Sequence, residues 1–64
     1  MLDAQPSLAQ QIGCVKREIA MRRRVYPRWV ADGRLIQSKA DAEIAAMEAV
    51  LATLQALEEK ERLL

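Results

Sequence analysis

Sixty-four residues carrying ten basic and nine acidic side chains, one cysteine and no histidine define a single small domain that buries only about 60% of the surface of its unfolded chain. An internal disulfide is excluded because Cys14 has no second cysteine to pair with, and without histidine no ordinary zinc set can be assembled. Because a core of this size rarely contributes more than roughly 3 to 5 kcal/mol, self-association or docking on a partner is the expected source of the remaining stability.

The net charge of +1 hides an uneven distribution. Residues 16 to 39 hold eight basic and two acidic side chains, whereas residues 40 to 64 hold two basic and six acidic ones. The chain is therefore a dipole rather than a polycation. A lone thiol fits a reducing compartment, residues 1 to 20 lack the basic start and apolar run of a signal peptide, and no apolar stretch approaches the roughly 18 residues of a membrane span. The expected location is the cytoplasm, with no membrane partner.

In chain order, the first element is a helix over about 8–25. Two caps are available: Asp3 ahead of Pro6, or Ser7 with Gln10 in the capping-box position, and Ser7 is preferred. Leu8, Ile12, Val15, Ile19, Arg22 and Tyr26 recur in steps of four and three, which places them on one helical face. Cys14, Met21 and Val25 form a second apolar strip beside it, more than one neighbouring helix would cover.

The segment from Arg22 to Arg34 is the expected corner. Pro27 lacks an N–H and pushes Tyr26 away from helical geometry, so the first helix is predicted to end near Val25 to Tyr26. A short helix over about 27–32 then follows, with Gly33 ending it in the left-handed conformation. Tyr26 and Trp29 read as the plug that closes this end, and Arg22 is expected to stack on Tyr26.

A second long helix spans about 37–62, with Ser38 and Asp41 as a possible capping pair. Its seam is Ala40, Ile44, Met47, Leu51 and Leu54, flanked by Val50 and Leu57, and Glu58 marks where tight packing ends. The fold class is thus all-α: an antiparallel helical hairpin with a proline-interrupted corner. Folding sets Arg22, Arg23 and Arg24 opposite Asp41, Glu43 and Glu48, and the surplus apolar surface predicts a homodimer forming a four-helix bundle.

Residues that could carry chemistry are few. The carboxylates of Asp41, Glu43, Glu48, Glu58, Glu59 and Glu61 come without histidine or any cleft-forming pattern, so neither catalytic residues, a bound metal nor a cofactor is expected. The favoured interaction residues are Arg28, Trp29 and Arg34, since aromatic and arginine anchors dominate interface energetics. Nucleic acid is the alternative partner, through Arg17, Arg23, Arg24 and Arg28, although Arg23 lies well away from Arg17 and Arg24 and the four do not read as one stripe.

The run Arg22-Arg23-Arg24-Val25-Tyr26-Pro27-Arg28-Trp29-Val30, followed by Gly33-Arg34-Leu35 and Lys39-Ala40-Asp41-Ala42-Glu43-Ile44, resembles a group of short phage and prophage proteins of unassigned function. The resemblance covers roughly residues 16 to 50. It implies a small intracellular helical accessory protein, with a host or phage protein as possible partner, and it brings no catalytic residues with it. Ile36 and Gln37 stand where the group has a capping residue and proline ahead of its second helix.

Overall fold

The structure, a computed structural model, describes residues 5–64. Two helices account for nearly all of them: α1, Leu8–Ala31, and α2, Gln37–Leu63. They pack against each other as an antiparallel hairpin, and there is no strand among the described residues.

The start of α1 follows from its local chemistry. The Ser7 hydroxyl accepts from the Gln10 N–H at 3.1 Å, and the Ser7 N–H donates to the Gln10 side chain at 2.8 Å. Two otherwise unpaired donors are satisfied reciprocally. The competing cap at Asp3 lies outside the described residues.

The expected break at Pro27 does not occur: α1 runs through the proline to Ala31, so there is no separate helix over 27–32. Proline removes one backbone bond and costs a helix interior about 3 kcal/mol, but only one turn lies beyond it, and that turn is held in several ways. Gly33, at φ 75°, donates its N–H to the Val30 carbonyl at 3.0 Å, and the Arg34 N–H reaches the Trp29 carbonyl at 2.8 Å. This is a Schellman cap. The aromatic contact between Tyr26 and Trp29 spans the proline on the side chains, while Pro27 itself is exposed.

The corner is therefore residues 32 to 36, shorter than the sequence suggests. α2 begins with Ile36 in the N-cap position and without a side-chain cap, so Ser38 lies inside the helix rather than pairing with Asp41. Asp41 instead accepts from the Gln37 side-chain amide at 2.9 Å. The short exit from the Schellman cap sets this start, because it commits the chain to the second helix before Ser38 is reached.

The hairpin seam is as the periodicity predicts. Ile12, Ile19 and Ala40 are buried, and Leu8, Val15, Tyr26, Ile44, Met47, Leu51 and Leu54 are half-buried. Glu58 is the last half-buried residue of α2. Overall the molecule measures 47 × 28 × 14 Å, with a radius of gyration of 15.0 Å, whereas a compact chain of this length would have about 11 Å. Its thin dimension matches a single layer of helices, each about 10–12 Å across with side chains.

Candidate interaction surfaces

Three surfaces are built on this frame. At the corner, the rings of Tyr26 and Trp29 lie 5.7 Å apart and tilted by 37°, and the Arg34 guanidinium sits over Trp29 at 5.6 Å from the ring centroid. Trp29 and Arg34 are thus brought together, with Trp29 half-buried and Arg34 exposed. Arg28 does not join them: it is exposed on the outer side of α1 and makes no side-chain bond to the described residues.

Arg22 does not form the expected stack on Tyr26. It donates to the Glu18 carboxylate at 2.6 Å and to the Glu18 carbonyl at 3.2 Å, one turn back along the same helix. The carboxylate bond, with a smaller effect from the Tyr26 hydroxyl, raises the Arg22 pKa above its ordinary value. The guanidinium is cationic throughout the working pH range.

The second surface is a ridge of arginines. Arg17, Arg24 and Arg28 are exposed and spaced by seven and four residues, so they line the side of α1 turned away from α2 over about 16 Å. The sequence reading missed this stripe because a break at Pro27 would have given Arg28 a new direction; in a continuous helix it aligns with the other two. Arg23 stands apart, ion-paired across the hairpin with Glu48.

The third surface comes from the difference between the two broad sides of the layer. The side carrying the Arg23–Glu48 pair is the more polar one, with a groove of about 190 Å³ bordered by the polar Arg23, Gln37 and Asp41 and by the apolar Tyr26, Pro27 and Ile44. The opposite side is apolar. A groove of about 410 Å³ runs between the helices there, walled by Cys14 and Val15 from α1 and Val50 and Leu54 from α2. By helical spacing, Met21 and Val25 continue this side along α1, and Leu57 continues it along α2. Val50 and Leu57 are 47% and 46% exposed, a large fraction for aliphatic side chains in a helix seam.

Glu58, Glu61 and Arg62 border a further concavity near the end of α2. All three stand on one helix, so it is an open surface without a facing wall. No three His, Cys, Asp or Glu side chains gather closely enough to hold a metal ion among the described residues, and no described helix is long and apolar enough to cross a membrane. No family model, curated protein or solved structure matches this chain.

Proposed function

We propose that this chain is a non-enzymatic protein-interaction module that works as a homodimer. The observation that carries the reading is the single helical layer, in which only Ile12, Ile19 and Ala40 are buried among the described residues. A layer of this kind gains stability by covering its apolar side, at about 25 cal/mol for each Å² removed from water. Size exclusion with light scattering tests it directly. A dimer mass at micromolar concentration is expected, and a monomer that melts cooperatively would overturn the proposal.

In this reading the corner pair Trp29 and Arg34 is the contact for a further protein partner, a host or phage protein in the setting implied by the resemblance to short phage proteins. Trp29→Ala then weakens capture of that partner while the circular dichroism keeps its helical signal. A second reading, a nucleic-acid accessory, is favoured by one observation, the exposed Arg17, Arg24 and Arg28 ridge. It requires duplex DNA or RNA binding that falls steeply with salt, by about one logarithmic unit per logarithm of salt for each phosphate contact. Absence of such binding at low salt removes it.

A further inference from the structure

We infer that the second copy lies face to face on the apolar side with both corners at the same end, so that α1 of each copy rests against α2 of the other. This rests on the dimer reading above and names its interface and orientation.

The apolar side is better suited to burial than the polar side. On it α1 contributes two charged groups, Glu18 and Arg22, already bonded to each other at 2.6 Å, and by helical spacing α2 adds Lys39, Glu43 and Glu61 towards its two ends. The layer offers a face of 47 × 28 Å, ample for the approximately 800 Å² that each partner gives to a stable interface. The groove between Val15 and Leu54 provides a seat for side chains of the facing copy.

Charge then chooses between the two two-fold arrangements. α1 carries six basic groups and one acidic group, whereas α2 carries three basic and six acidic. If the two-fold axis runs across the helices, the corners lie at opposite ends and each helix faces its own copy, which sets the exposed Arg17, Arg24 and Arg28 ridge of one copy beside the same ridge of the other. If the axis runs along the helices, each α1 faces the partner's α2. The Arg17, Arg24 and Arg28 ridge then runs beside the outer side of the partner's α2, where Ala42, Ala45 and Ala49 stand instead of a second row of arginines. Avoiding like-charge apposition of this kind fixes orientation even where it adds little affinity.

The test uses the full chain with Cys14→Ala and Ser38→Cys, carrying a nitroxide at position 38, one turn from the corner. Light scattering and dipolar electron spin resonance are measured on the same sample. Corners at the same end place the labels within about 30 Å, the width of a helical bundle plus label arms, whereas corners at opposite ends place them about 40 Å or more apart from the helical rise alone. A short distance in a dimer is the expected result. A long distance in a dimer overturns the orientation and leaves the dimer standing, while a monomer mass overturns the reading on which it rests. Val50→Glu, in an otherwise unlabelled chain, locates the face independently: it should lower the dimer population at least tenfold, whereas Ala49→Glu, on the outer side of α2, should leave it unchanged. Equal effects would place the interface elsewhere.

Discussion

Arg34 holds Trp29 twice: its backbone N–H donates to the Trp29 carbonyl at 2.8 Å, and its guanidinium lies 5.6 Å from the indole centroid. The backbone bond belongs to the helix cap and survives any side-chain change. The side-chain contact does not. Arg34→Ala is therefore expected to destabilise the chain by about 0.5 to 1 kcal/mol, the range for an exposed cation–π pair. Trp29 is the sole tryptophan, so urea unfolding followed by its fluorescence reads both the stability and the altered surroundings of the ring. An unchanged emission spectrum together with unchanged stability would show that the contact is not populated in solution.

The two glycines should respond to the same substitution with opposite signs. At Gly33, φ is 75° and nothing lies within 4 Å of an added Cβ, so alanine meets no clash but must adopt left-handed backbone, at a cost of about 1 to 2 kcal/mol. At Gly13, inside α1, an added Cβ meets only the tip of Arg17 at an ordinary 3.5 Å. Alanine there should stabilise by about 0.5 to 1 kcal/mol through helix propensity. Thermal melts of the two variants at equal protein concentration compare them directly, and a common sign would contradict the assignment of one position.

The features legible in the sequence are those set by local pattern. The alternation of Ile12, Val15 and Ile19 with Ala40, Ile44 and Met47 identified the seam, Ser7 with Gln10 identified the first cap, and Gly33 marked the reversal. Pro27 misled because its penalty is read from one residue, whereas the bonds that offset it form only when the helix continues and Gly33 and Arg34 close on the Val30 and Trp29 carbonyls. That misreading spread to the candidate surfaces, since the direction of Arg28 depends on whether the helix is continuous. The difference between the polar and apolar sides was visible only in part. Cys14, Met21 and Val25 stood out as surplus apolar surface, but pairing them with Val50 and Leu57 required the hairpin register.

The cross-helix pair Arg23–Glu48 is half-exposed, with side-chain accessibilities of 58% and 47%. Solvent and salt screen such a pair, so a double-mutant cycle of Arg23→Ala and Glu48→Ala should give a coupling of only about 0.2 to 1 kcal/mol, smaller in 1 M salt than in 0.05 M. Its main effect is on register, because it is the ion pair found to link α1 to α2 among the described residues. A coupling above about 2 kcal/mol, far outside the range for exposed pairs, would mean that the pair is buried in the working form of the protein. That outcome would place the interface on the polar side.

Ala40 should be the least replaceable residue of α2. It is only 3% exposed, and it stands four residues after Ile36, where the short corner brings the two helices together beside Tyr26. A larger side chain has no room to turn outward, because the residues that surround it belong to the seam and to the capped end of α1. Ala40→Leu is expected to cost about 1 to 3 kcal/mol, as overpacking of a tight core position does. Ala45→Leu, on the exposed outer side of the same helix, should stay within about 0.5 kcal/mol of the parent. Both leucines add the same volume and have the same helix propensity, so the difference between the two denaturation curves isolates the packing at the corner. Equal stabilities would show that the helices separate there without cost, and that the short corner does not fix their spacing.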